Sequence, residues 1–385
     1  VLQEIGTRGG LEVDGLATEA RGNPFLIVEY VRWVREHPEV AHEQVTLERV
    51  IEARLAKLGA TSRKLLDVLA VCARPIEPAL AARAAHIDDE RPAVTELRDA
   101  HLLRTARMGD VDALQVWHDR IREAVLAKID RAEVADVHLR LGHAIEASAL
   151  PDPEALAQHF RAAGAKWKAS HYAALAARRA DAALAFDRAA SLYQQAIELA
   201  PPNAPELRTH RIMRGDALTN AGFARDAASE YLAAAEAAVE SEALELHRRA
   251  AQCLLQSGHI DEGLAVFEGV LSAVGESLAK SPRRALASLM FRRAQLRIRG
   301  LSFAERAADQ IPALDLTRID VFWALATGFG LVDVIVGADF GTRHLLAALR
   351  SGEPYRLVRA FCAEAVFSAT IGAPALERTK DLVAR

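Results

Sequence analysis

The sequence predicts a mainly α protein: a compact helical domain closed by a two-stranded hairpin, followed by a stack of paired helices. Three observations carry this. Almost every stretch past residue 46 places apolar residues at helical spacing. Two short apolar runs, "LLRTA" and "ALQVW", flank the turn-forming "RMGDVD". From residue 151 onward, aromatic and small residues return at a nearly fixed interval. The chain has 385 residues, of which 51% are hydrophobic and 26% charged, a soluble globular balance with room for two or three domains.

The elements follow in order. In residues 1–45 the run "ATEARGNPFLIVEYVRW" turns on Gly22, Asn23 and Pro24 and enters a helix. Pro24 suits a first helical turn, where its missing N–H would have had no partner, and Asn23 can cap the open donors. Phe25, Val28, Val31 and Val34 then form one apolar stripe. Residues 46–150 read as helices over 46–57, 61–73, 77–85 and 91–101, then the hairpin, then the helix "HDRIREAVLAKI" with Asp119 placed to cap it. Helices followed by a hairpin are the order of a winged-helix domain.

In residues 151–385, Tyr193, Tyr231 and Phe267 stand 38 and 36 residues apart, each preceded four positions earlier by Ala189, Ala227 or Gly263. Gly222 and Gly258, 36 apart, fall where one helix of a pair must turn into the next. The pattern is similar to the tetratricopeptide repeat (TPR), with Pro201 ending its helix as in that family, although the interval is longer than the family's. Gly337 and Gly372, 35 apart, suggest two further units. Units this small bury their apolar faces only by stacking, which predicts an α-superhelix with a concave side. The stretch "SPRRALASLMFRRAQLRIRG" interrupts the rhythm with six arginines and no acid; it reads as a helix with a cationic flank or as a site for an anionic partner.

Composition excludes several functions. Forty-eight Lys and Arg nearly cancel 52 Asp and Glu, so no overall field draws the chain onto nucleic acid or an anionic membrane. The apolar run "VFWALATGFGLVDVIVGA" carries Asp333 and three glycines and reads as buried repeat helix, not as a membrane span. Cys72, Cys253 and Cys362 lie far apart in apolar helical patterns, as buried thiols in a reducing, cytoplasmic setting. "GTRGG" lacks the lysine of a phosphate loop, and no zinc-protease or nucleophile-elbow motif occurs, so the chain itself is expected to hold no cofactor, bind no metal and catalyse nothing. It opens at Val1 and closes in a helical pattern, as a portion of a longer protein would.

The "GNPF" run, "VWHDRI" and "QSGHIDEGLAVFEGVLSAVG" together resemble the downstream half of bacterial signal-transducing ATPases of the STAND group, including those joined to serine/threonine protein kinases. That resemblance implies the end of a nucleotide-binding module over 1–45, a winged helix over 46–150 and TPR-like repeats over 151–385. It also implies ATP or ADP in the parent protein. In the family a His-Asp pair presents its His to the β-phosphate of ADP, and a Gly-x-Pro motif packs its Pro against adenine. Gly22, Pro24 and His118 match these positions, while Trp117 replaces the family's Met and the phosphate loop and metal-binding acid have no counterpart here. His118 is open to a second role as a boundary residue between strand and helix. The partners implied are the upstream ATPase domain and a protein or small ligand on the repeats. A free-standing TPR scaffold is the alternative. A DNA-binding regulator is disfavoured, since "DDERPAVTELRDAHLL", the candidate recognition helix, carries Asp88, Asp89, Glu90, Glu96 and Asp99 against Arg91 and Arg98.

Overall fold

The computed structural model describes residues 47–109, 111–330, 332–370 and 372–384. They form two compact units that divide between Ala176 and Ala177.

The first unit begins with α1 (Leu47–Lys57), α2 (Ala60–Cys72), α3 (Pro78–Ala85) and α4 (Arg91–Asp99), close to the helices the periodicity predicts. Helix α2 is the centre. Leu65, Leu66 and Leu69 are almost wholly buried, and Leu97 of α4 joins them in one core. The chain then forms β1 (Leu103–Met108) and β2 (Val111–Val116), paired antiparallel with Leu103 opposite Val116 and Met108 opposite Val111. The strands run further into the expected turn than apolar spacing indicates. Backbone pairing needs no apolar side chain, and Arg107 opposite Asp112 places unlike charges across the ladder. Ile76 adds a third short contact: its N–H donates to the Leu114 carbonyl at 3.0 Å and the Leu114 N–H donates back at 2.7 Å.

Helices α5 (Asp119–Leu126), α6 (Arg131–Glu146) and α7 (Pro153–Ala162) complete this unit together with the first part of α8 (Lys166–Ala182). Residues 151–176 therefore belong with the helices before them. Phe160 is fully buried against Gly142, where an added Cβ would lie 2.8 Å from the ring. Tyr172 stacks on Phe160 at 5.6 Å between ring centroids.

The second unit is a helical-repeat stack. Helices α9 (Phe186–Leu199), α10 (Leu207–Asn220), α11 (Ala224–Ala235), α12 (Glu240–Gln256) and α13 (Ile260–Ala273) each pack on the next. Tyr193, Tyr231 and Phe267 lie on α9, α11 and α13 and are buried to within 2% exposure, with Ala189, Ala227 and Gly263 buried one turn before them. The notch that admits Tyr231 is Gly215 of α10, whose added Cβ would sit 2.6 Å from the ring. Gly222 and Gly258 turn between helices at φ 87° and 81°, as predicted. Leu184 occupies the corresponding turn before α9 at φ 58°.

Beyond α13 the rhythm changes. The arginine-rich helix α14 (Pro282–Arg299) packs on α16 (Val334–Ser351), while α15 (Ala313–Phe329) packs on α12 and α16. Helices α17 (Pro354–Ala369) and α18 (Leu376–Ala384) follow. Gly337 and Gly372 do not mark equivalent turns. Gly337 lies within the first turn of α16, pressed against Gly330, and Gly372 follows α17 at φ 81°. The long apolar run is broken where the Asp333 carboxylate caps α16, accepting the Ile335 and Val336 N–H groups at 3.0 and 3.1 Å. Among the described residues no helix is long and apolar enough to cross a membrane. Cys72 and Cys253 are buried as expected, but Cys362 is exposed because its position on α17 faces away from the helices that cover Leu357 and Phe361.

Candidate functional site

Of the three residues matched to a nucleotide site, Gly22 and Pro24 lie outside the described residues. His118 stands at the joint where β2 gives way to α5, with extended backbone at φ −152° and ψ 149°. Its Nδ1 accepts the Arg120 N–H at 3.2 Å, which makes His118 itself the helix cap. Asp119, expected in that role, is the first helical residue instead and offers its charge to the positive end of the helix dipole. An imidazole whose Nδ1 is an acceptor carries its proton on Nε2 when neutral, so the cap fixes the tautomer.

The joint is held from behind. Arg122 donates Nε–H to the Ala70 carbonyl at the end of α2, at 2.8 Å, and Ile121 and Val125 are buried in the core beneath. The Trp117 ring lies 5.7 Å from the His101 ring, and the Trp117 backbone N–H donates to the Leu102 carbonyl at 3.0 Å. On the acidic helix α4, the exposed Glu96 accepts the Gly59 N–H at 3.0 Å and the Ser62 hydroxyl, capping α2, and these bonds hold its carboxyl below the usual range.

Two further polar groups stabilise the first unit. His138 and His159 meet through their Nδ1 atoms at 2.9 Å, so one ring donates to the other. Burial, with His138 and Arg74 adding to it, pushes His159 down to about 3, which keeps that ring neutral. Burial raises the Glu146 carboxyl, but bonds from Lys168, Tyr172 and His143 outweigh it and bring the group to about 2. Among the described residues no cluster of three or more His, Cys, Asp or Glu is arranged to hold a metal ion.

Two concavities of the second unit stand out. A groove of about 770 Å³ runs along the regular repeats, walled by Leu232, Leu244, Val266, Val270 and Leu314, with His247 among the polar groups at its side. A second cavity, about 320 Å³, lies among α14, α15 and α16 and gathers Arg292, Arg306, Arg318, Arg343 and Arg350. Only Arg292 belongs to the conspicuous basic stretch. The other four are single arginines in otherwise ordinary helical sequence, and no spacing relates them.

No protein-family model matches the chain, and no curated protein matches it. Among solved structures, a signal transduction ATPase with numerous domains (STAND) with a tetratricopeptide repeat sensor, from Pyrococcus horikoshii, is similar with a TM-score of 0.42 and 12% sequence identity. The likeness covers 99% of this chain, which spans 59% of the length of the other.

Proposed function

We propose that this chain is the regulatory and sensing portion of a signalling ATPase, in which the repeats receive a ligand or protein and the first unit, acting as a winged helix, relays that event to a nucleotide held by an upstream domain. His118 carries the reading. Its backbone cap orients the ring at an exposed strand–helix joint and leaves Nε2 as the proton-bearing nitrogen, the form that donates to a phosphate oxygen. Hydrolysis belongs to the upstream domain and its own phosphate loop and metal. The chain by itself is expected to turn over neither ATP nor a protein substrate.

The relay is a population shift. A partner that fits one arrangement of the repeats better than another moves the nucleotide-bound state by the difference in its affinities, and about 1–3 kcal/mol of coupling is usual for such switches.

The test uses two substitutions in the full-length parent. His118→Ala removes cap and phosphate donor together. His118→Asp keeps an oxygen to cap α5 but sets a negative charge toward the nucleotide. Both are expected to weaken ADP retention, by about 1.5–3 kcal/mol for loss of the charge-assisted bond, whereas only His118→Ala lowers the melting temperature. Unchanged ADP retention in a folded His118→Asp parent refutes the nucleotide role.

A further inference from the structure

The cavity among α14, α15 and α16 is lined mainly by cationic side chains. It is lined by five guanidinium groups and only two carboxylates, Glu276 and Asp315, and both acids are already engaged. Arg343 donates to Glu276 at 3.0 Å, to Asp339 at 2.9 Å and to the Ser288 hydroxyl at 3.1 Å, which uses all three of its nitrogens. Arg318 donates to Asp315 at 2.9 Å and to the Val274 carbonyl at 3.0 Å. Three arginines then have no carboxylate among the described residues. Arg306 reaches only the neutral Gln310 carbonyl, at 2.7 Å. The Arg292 Nε is buried without a hydrogen-bond partner. Arg350, in the last turn of α16, makes no hydrogen bond or ion pair with any described residue.

Arg292 is half-buried with an unpartnered Nε, a charged group that gains from an anion beside it, whereas Arg306 and Arg350 are exposed at the cavity's open side, where their charge draws an anion in. The remaining wall is Ser351 and apolar side chains that include Ile311, Ile319, Phe322 and Leu346, and the volume of about 320 Å³ falls at the lower end of the range for small-molecule sites, roughly 300–1,000 Å³. A carboxylate offers two oxygens and one charge. A phosphate monoester offers three terminal oxygens and about 1.5–2 charges, which suits three guanidinium groups better. We propose that this cavity binds a small phosphate monoester, its phosphate among Arg292, Arg306 and Arg350 and its apolar part against Ile319 and Phe322. This rests on the reading of the repeats as the receiving part of the molecule and names the chemical class they receive.

Phenyl phosphate, inorganic phosphate and benzoate serve as probes, titrated calorimetrically against the purified 385-residue chain. The expected order is phenyl phosphate first, inorganic phosphate at least fivefold weaker and benzoate at least tenfold weaker, with all binding reduced by added salt. Arg350→Gln, which breaks no bond within the protein, is expected to weaken phenyl phosphate at least tenfold with the melting temperature unchanged. Arg306→Gln gives a second reading of the same loss. Arg283→Gln, on the exposed start of α14, is expected to leave binding within twofold. No saturable binding of phenyl phosphate, equal binding of benzoate, or equal loss in the Arg283→Gln and Arg350→Gln variants each overturns the assignment. These measurements involve no nucleotide and no signal, so their failure is separate from a failure of the sensing reading, which is decided by whether a parent shortened after residue 176 still answers its stimulus.

Discussion

The two halves of the second unit share arginine–carboxylate pairs, Arg211 and Arg214 on Glu230 in one and Arg293 on Glu364 in the other, but differ in what packs between the helices. From α9 to α13 the helices close on one another through aromatic rings set into notches of small residues, as Tyr231 is set against Gly215. From α14 to α18 the helices close on an apolar core that includes Ile319, Leu345, Leu349 and Phe361, tied by arginine forks on buried and half-buried carboxylates. Arg293 grips Glu364 with bonds of 2.7 and 2.8 Å while lying 4.0 Å from the centre of the Phe367 ring, and Arg378 takes the same carboxylate at 2.7 Å. Asp320 is shared by Arg356 and Arg359, and Arg359 also covers the Trp323 ring at 4.3 Å. The first kind of joint follows from one rule of size and repeats itself. The second kind needs particular partners.

The contrast can be broken by substitution. The largest loss is expected in the regular half. Phe267→Ala removes a fully buried ring and is expected to cost about 3–5 kcal/mol, read as a fall in the denaturant midpoint. If the cost stays below about 1 kcal/mol, the aromatic rings do not hold the repeats together.

In the irregular half, Glu364→Gln strands Arg293 beside a neutral group with the carboxylate site only 4% exposed, and about 3 kcal/mol is expected. The double change Glu364→Leu with Arg293→Met sharpens the distinction, because replacing both partners of a buried pair by apolar groups is often neutral. Recovery of most of the stability by the double variant is the expected outcome. A double variant as unstable as Glu364→Gln would mean that the joint depends on charge and not on filled volume.

The smallest effect concerns the turns. Leu184 is 74% exposed and held at φ 58°, where Gly222 and Gly258 stand in the following repeats. Leu184→Gly is expected to gain about 0.5 kcal/mol, since it relieves left-handed strain and surrenders little burial. A loss of stability on thermal melting would show that the exposed leucine contributes a contact worth more than its strain.

Much of the regular half was legible because its rule is local. An aromatic four residues after a small residue, repeated at a turn's distance from a glycine, needs no knowledge of the rest of the chain. The hairpin was legible for the same reason, and His118 was correctly set at the strand–helix joint. The assignment of the cap to Asp119 failed on geometry: with the backbone extended at 118, the His118 ring is the group that reaches the Arg120 N–H. The likeness of Gly337 to Gly372 was numerical only, one serving close helix approach and the other a turn.

The sequence by itself determined the helices, the hairpin and the spacing of the repeats, because periodicity and turn chemistry act over a few residues and leave a regular trace. Tertiary structure alone decided which arginines are neutralised and which are left facing a cavity. Arg293 finds Glu364 across 71 residues and Arg343 finds Glu276 across 67, while Arg306, in the link before α15, and Arg350 are brought to the same cavity without any carboxylate. An arginine's partner depends on where its long side chain ends, and that point is set by the packing of α14, α15 and α16, not by its neighbours in the chain.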